Sequence, residues 1–429
     1  MTTSMSKGKR NFLVFLISIM CQLIYIVPYI RFYFYDQYVA AYELTNLQLG
    51  NLGSIYGLVA LFSYFIGGFF ADRFSIRSLM TLSFTVCAGL AFWEAMYPSY
   101  TSLILIYSLF AFFNSATMWP AYIKFLRGLG NDDEQSRLYG TSEALRGVLG
   151  CGAGLGLLAL VVQFTEIKVG VQTIIITLGV SYIVFAVLSL IFLPKTSPAE
   201  KKNASEKGKD KPSTWKNFIA TIRLPETWIL SIFMFACYCT FMAGVNYLGT
   251  YTTQILGISA EISSGLGIVR NYGILVIAGL LGGVLADKAK SRLLFIVYLL
   301  IGVIILAVAT PLSSGMVTLC LIISMVLPLF YYGIKSVYFS VLGDAGIPMA
   351  LTGMASGIIS FIALSPDAFM TTIMGSWLDK DPVMGFNMIF GWMVVWAIVA
   401  IVFAIIIYKR GKNRALKSEN VLQKQGDIL

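Results

Sequence analysis

Apolar and polar positions in this chain gather into long apolar runs separated by short polar turns. A helix rises about 1.5 Å per residue and the hydrocarbon core of a bilayer is about 30 Å thick, so roughly 20 successive apolar residues span it. Twelve segments have that length: 12–38, 48–70, 77–97, 101–123, 138–164, 170–193, 226–253, 262–285, 293–310, 316–341, 350–377 and 384–408. The connection 194–225 stands apart. It is rich in Lys, Ser and Pro and reads as a flexible linker. The pattern predicts an all-α membrane protein: an N-terminal six-helix unit over 1–193, a linker over 194–225, a second six-helix unit over 226–408 and a tail over 409–429. The basic start at Lys7, Lys9 and Arg10 leads into an apolar run without a small-residue cleavage site, as in a first membrane helix.

The two units resemble each other. Residues 67–77 read GGFFADRFSIR and residues 282–292 read GGVLADKAKSR, and Asp287 follows Asp72 by 215 residues, half the chain. Leu52-Gly53 and Tyr56-Gly57 have counterparts in Leu266-Gly267 and Tyr272-Gly273. The halves are therefore expected to be pseudo-symmetric and to run in the same direction.

Composition and charge sharpen this. Hydrophobic residues make up 58% and charged residues 12%, against about 25% charged in soluble domains. The formal net charge is +10, which can signal nucleic acid, but its distribution signals topology. With the N-terminus inside, 25 of the 31 Lys and Arg fall in inside loops or tails and two, Lys168 and Lys380, fall outside. That bias places both termini and the linker in the cytoplasm. The remaining four, Arg31, Arg146, Arg270 and Lys335, lie within membrane segments. There is no His, and the six Cys all sit in apolar runs, as small packing residues do. No phosphate-binding GxxxxGK[ST] loop, catalytic set or metal-ligand spacing occurs. The expectation is a non-enzyme without cofactor, driven by a gradient.

Gly68, Ala71, Asp72, Arg73 and Arg77, repeated as Gly283, Ala286, Asp287, Lys288 and Arg292, resemble the turn motif of the major facilitator superfamily of secondary transporters. The resemblance covers nearly the whole chain. It implies two six-helix bundles around a central cavity, alternating access by rocking, and a cytoplasmic gate built on those residues. Tyr29-Ile30-Arg31 and Leu47–Gly50 also resemble the organic-anion and sugar-phosphate branch. That branch has an Arg in helix seven where this chain reads Phe241-Met242-Ala243-Gly244.

Charge inside a membrane is costly and marks pathways or paired sites. Arg31, Arg270 and Lys335 are expected to bind an anionic solute, since a guanidinium grips a carboxylate with two hydrogen bonds. Tyr29, Tyr35, Tyr247, Tyr331 and Trp119 are expected in the site wall; Tyr35 and Tyr38 share a helix face with Arg31 at i, i+4 and i+7. Glu143 and Arg146, one turn apart, form an ion pair or a proton switch. Asp367, after Pro366, accepts a coupling proton or pairs with a cation. Asp36 and Glu94 fall near the outer surface. The glycines Gly147, Gly150, Gly152, Gly154 and Gly156 allow close helix approach. The function read from these residues is proton-coupled transport of a small organic anion, a sugar acid or another carboxylate. The protein would be a monomer in a plasma or bacterial inner membrane, with the bilayer and the solute, not nucleic acid, as partners. A transporter of a neutral sugar, nucleoside or drug, its cations held in internal ion pairs, is the alternative; a membrane sensor without transport is a second.

Overall fold

The computed structural model describes residues 6–129, 135–195, 214–338, 341, 345–347 and 351–426. Among them nine helical stretches are long and apolar enough to cross a membrane. They coincide with the predicted spans except the first, second and eleventh. The second is one 28-residue helix, α3 (Asn46–Arg73), opened by a Thr45 capping box. The other two are broken.

The first span divides into α1 (Lys7–Leu23) and α2 (Arg31–Tyr42), with irregular turns over 24–30. Pro28 lies in that break. It lacks an N–H and its ring clashes with the carbonyl four residues back. Tyr182 supplies what the backbone loses: its hydroxyl donates to the carbonyls of Leu23 (3.0 Å) and Ile24 (3.2 Å). The eleventh span breaks at a 3₁₀ turn, Ser365–Ala368, which contains Pro366. A proline disfavours helical geometry in the residue before it.

The remaining helices of the first half are α4 (Ile76–Glu94), α5 (Tyr100–Phe112), α6 (Trp119–Gly128), α7 (Gln135–Val161) and α8 (Ile167–Phe192). A π turn, Phe113–Met118, joins α5 to α6. Part of the expected linker is also helical: α9 (Thr214–Arg223). Its last carbonyls accept from Thr227 Oγ1 (2.9 Å) and Trp228 Nε1 (2.8 Å), side chains of the next helix. So this stretch is not uniformly flexible. The second half continues with α10 (Pro225–Gln254), α11 (Ala260–Ile268), a π turn (Val269–Gly273), α12 (Ile274–Lys288), α13 (Arg292–Leu312), α14 (Val317–Val337), α15 (Thr352–Ala363), α16 (Met370–Lys380) and α17 (Pro382–Gly426). The expected tail continues α17 as helix.

Packing divides the chain into two compact units whose borders cut through helices of the second half. The first comprises Met1–Lys209, Gly249–Val276 and Asp367–Gly385. Its helices touch through glycine. A Cβ on Gly50 would lie 2.2 Å from the Thr371 carbonyl oxygen, one on Gly375 2.4 Å from that of Asn46, and one on Gly57 2.5 Å from that of Asp367. Hence α3 and α16 run backbone to backbone. On α7, Gly147, Gly150 and Gly154 receive Val276, Tyr272 and Tyr33. The turns after α2, α4 and α7 meet at one end, where Lys168 pairs with Glu43 (2.6 Å) and Gln172 Nε2 donates to the Ala95 carbonyl (2.9 Å).

The second unit comprises Asp210–Leu248, Ile277–Pro366 and Phe386–Leu429. Phe330 of α14 fills the notch at Gly302 of α13, and Phe235 meets Trp396 edge to face. Arg414 of α17 donates to the Ala345 carbonyl (2.5 Å), and Arg410 and Arg414 lie 3.6 and 3.8 Å from Glu226. All six cysteines are free.

Candidate functional site

The break in the first span determines where Arg31 goes. It opens α2 and is only 6% exposed. Its guanidinium carbon lies 5.3 Å from the Tyr29 ring centre and 5.0 Å from that of Phe32, cation–π contacts that help a charge tolerate burial. It passes so near α3 that a Cβ on Gly53 would meet Arg31 Nη1 at 2.9 Å and Thr371 Oγ1 at 3.0 Å. Gly53 is thus the space the arginine occupies.

Arg270 lies in the second π turn and is 1% exposed. π turns arise where a helix absorbs an extra residue, and they often mark functional sites. The next two residues dock this turn on the start of α2. Asn271 Nδ2 donates to the Phe32 carbonyl (3.2 Å), and the Tyr272 and Tyr33 rings stack with centres 4.6 Å apart. Two buried arginines therefore sit on touching segments of the first unit.

Aromatic side chains wall this region. Tyr29 stacks on Phe32 (5.1 Å) and meets Tyr56 edge to face (5.0 Å). The other π turn orients the wall: Asn114 Nδ2 donates to the Tyr56 hydroxyl (3.2 Å), and Tyr25 donates to the Asn114 carbonyl (3.3 Å). Asp367 is half-buried in the 3₁₀ turn against Gly57, one helical turn along α3 from Gly53.

Other expected residues lie elsewhere. Tyr35 and Tyr38 do not share a regular helical face with Arg31, because Phe34 between them is non-helical (φ −140°, ψ 52°). The Tyr35 hydroxyl donates to Asn46 Oδ1 (3.0 Å), and Tyr38 donates to Glu94 (2.7 Å). Arg146 pairs with Glu143 at 2.6 Å and covers the rings of Trp119 (5.5 Å) and Tyr122 (6.0 Å). Tyr247, Tyr331 and Lys335 belong to the second unit. There the Lys335 ammonium lies 4.2 Å from the Phe241 ring centre, Tyr331 packs on Gly244, and Tyr247 is buried.

Of the gate motif, the side chains of Gly68, Asp72, Arg73, Gly283 and Asp287 lie outside the described ones. Arg77 Nε donates to the Leu193 carbonyl (2.6 Å) at the end of α8; Lys288 is exposed and Arg292 half-buried.

The sequence reading missed a polar seam at the other end of the first unit. Asp379 caps α3: its carboxylate accepts from Asn46 N and Nδ2 (both 2.9 Å) and from Leu47 N (2.7 Å). Thr253 donates to Asp36 (2.7 Å), Gln37 donates to the Ala260 carbonyl (3.1 Å) and bonds Ser264 (2.9 Å), and Thr371 donates to the Gly50 carbonyl (2.8 Å). These bonds join residues hundreds of positions apart. The Thr45-Asn46 cap signal was the one local hint. Glu94, expected near the surface, is fully buried.

Comparison with known proteins fits this geometry. The model of the Major Facilitator Superfamily matches residues 11–365. The inner membrane protein YihN of Escherichia coli is 26% identical over 418 residues, 95% of this chain and 97% of that protein. The inner membrane protein YqcE of Escherichia coli is 27% identical over 363 residues, 83% of this chain and 84% of that protein. Among solved structures, an inward-facing, unoccupied bacterial homologue of the human lysosomal transporter Spinster superposes with a TM-score of 0.74. It is 13% identical, with 95% of this chain and 98% of that one covered.

Proposed function

The chain belongs to the Major Facilitator Superfamily, and from that premise we propose that it carries a small organic anion, a sugar acid or another carboxylate, together with protons. It is a membrane transporter and not an enzyme. Like its relatives named as inner membrane proteins, it is a multi-pass protein of a bacterial inner membrane. Both termini face the cytoplasm, and the two six-helix halves, 1–193 and 226–408, exchange access as a monomer.

One observation supports the anion reading above all: Arg31 and Arg270 are both buried, on segments that touch, and aromatic rings flank Arg31. A guanidinium binds a carboxylate with two parallel hydrogen bonds, and charge buried in a membrane span marks a pathway or a paired site. Tyr29 and Tyr56 offer ring faces and hydroxyls to the hydroxylated body of a sugar acid. Asp72 and Asp287 help latch the cytoplasmic side in one state of the cycle.

The test is uptake into vesicles of a labelled sugar acid, a simple carboxylate and a neutral sugar, with and without an inward proton gradient. Uptake of one anion class, driven by the gradient and reduced at least about 100-fold by Arg270→Lys, supports the reading; such a loss corresponds to about 2.7 kcal/mol of lost bidentate binding. Uptake of the neutral sugar, unchanged in the variant, would assign the arginines to internal ion pairing.

A further inference from the structure

Glu94 ends α4, and its side chain is fully buried. One carboxyl oxygen accepts from the Tyr38 hydroxyl (2.7 Å); the other, Oε2, is buried with no hydrogen-bond partner. Groups face it from each neighbouring helix. Tyr38 and Tyr42 come from α2, the latter donating to the Glu94 carbonyl (2.7 Å). Tyr107 comes from α5 and donates to the Tyr38 hydroxyl (3.3 Å). Tyr182 comes from α8, within electrostatic range. Among the described residues no charged group of α3, α6 or the first π turn acts on it, and no Lys, Arg or second acid pairs with it. The pocket therefore offers hydroxyls and rings but no countercharge.

Such a pocket discriminates between the two forms of a carboxyl. An ionised carboxylate there has one donor and no cation, a costly arrangement in a low-dielectric interior. The neutral acid costs far less. Yet the group lies near the rim. The turn that follows it carries Tyr97, half-buried, whose ring lies 4.6 Å from that of Tyr42 and whose hydroxyl donates to the Lys168 carbonyl at the rim. One aromatic layer separates Glu94 from the aqueous end of the first unit that the charge pattern assigns to the outside.

The chain of contacts also leads inward. Tyr38 lies on α2, four residues beyond the non-helical Phe34, and Arg31 opens that helix. Arg31 acts electrostatically on Tyr107, which bonds Tyr38, which bonds Glu94. We propose that Glu94 is a proton-binding site, separate from the solute site, whose occupancy sets the position of α2 and hence of Arg31. A proton from the outer aqueous phase adds to the carboxylate, giving the neutral acid, and the same proton leaves when the transporter changes state. The charged form pulls Tyr38 toward Glu94 as a donor to an anion, whereas the neutral form holds it more weakly.

This inference rests on the proton-coupled reading above, but its test needs no solute. The full chain is reconstituted in phosphatidylethanolamine–phosphatidylglycerol vesicles and titrated from about pH 4 to about pH 10, spanning the ordinary carboxylate and tyrosine ranges. Infrared difference spectra record the carboxylic-acid C=O band, and hydrogen exchange, corrected for the intrinsic rate, records protection of residues 31–42. Wild type is expected to show a protonated-carboxyl band that disappears as pH rises, with protection of α2 changing at least threefold as it does. Glu94→Gln loses both. Tyr38→Phe, which keeps the acid, retains the band at a shifted frequency and loses the change in α2. Spectra of Glu94→Gln and wild type that coincide overturn the site. An α2 that responds to pH equally in all three overturns its link to Arg31. Neither outcome touches the anion reading, which the uptake experiment decides separately.

Discussion

Gly50→Ala adds one methyl group where α3 and α16 have no room for it. The new Cβ would lie 2.2 Å from the Thr371 carbonyl oxygen, whereas ordinary contact begins near 3.4 Å. The obstacle is backbone, so no rotamer change relieves it, and the helices must separate by about 1 Å. That displacement stretches the Thr371–Gly50 hydrogen bond from 2.8 Å beyond bonding distance. It also loosens the Asp379 cap. Overpacking costs about 1–3 kcal/mol and the lost hydrogen bond about 0.5–1.5 kcal/mol. Replacing a helical glycine returns about 1 kcal/mol. The net is about 1–3 kcal/mol against this arrangement, a shift of roughly 5- to 150-fold in any equilibrium that opens the seam. Hydrogen exchange over residues 46–57 and 370–380 reads that shift directly, and Asp379→Asn should move it in the same direction by less. Unchanged protection in Gly50→Ala, with the protein folded, would refute the backbone contact as what holds this end shut.

Three further predictions follow from local geometry. Gly346 has φ 79° and faces Arg414, whose Nη1 would overlap a Cβ there. Gly346→Ala should therefore lower the melting temperature through about 1–2 kcal/mol of left-handed strain, plus release of the Arg414–Ala345 bond, which a smaller effect in Arg414→Ala background would reveal. Tyr182→Phe should cost about 1–3 kcal/mol by leaving the Ile24 carbonyl without its donor, while that of Leu23 keeps the Ile26 N–H (3.0 Å); thermal unfolding measures this, and a neutral result would mean water replaces the hydroxyl. Lys168 holds the exposed Glu43 carboxyl below its usual range through a hydrogen bond and its charge. Its stabilisation is present above the usual carboxylate pKa and is lost as pH falls through the depressed one, so wild type and Lys168→Ala should converge in melting temperature in acid, with a small difference at neutral pH that salt removes.

The spans were legible because bilayer thickness fixes their length, and the family was legible because the 67–77 and 282–292 turns repeat at half-length. What failed was the assumption of helix regularity. Placing Tyr35 and Tyr38 on the Arg31 face required unbroken 3.6-residue periodicity, which the non-helical Phe34 removed, and the first and eleventh spans break at 24–30 and 365–368. Pro28 and Pro366 were the visible signals. The helix α9 lay in a stretch judged by composition, although its apolar positions recur at helical spacing. Glu94 was judged from its distance to the end of a span, but its burial comes from Tyr38, Tyr42 and Tyr107 on other helices. Asp379 and the bonds of the polar seam depend on pairings of high sequence separation, which one sequence does not disclose. Arg31 and Arg270 were found because charge in an apolar run is conspicuous; that Asn271 and Tyr272 bring their segments together was not visible.

The most direct test of the central claim is thermal unfolding of the purified protein with carboxylates, sulfonates, phosphates, neutral sugars and nucleosides, repeated with Arg270→Lys. A ligand that binds only the folded state stabilises it by mass action, by about 2.7 kcal/mol at 100 times its dissociation constant. The account predicts that one class of anion raises the melting temperature of wild type and that the effect is lost in the variant, which keeps the charge but not the fork. Stabilisation by a neutral solute, retained in Arg270→Lys, would contradict it.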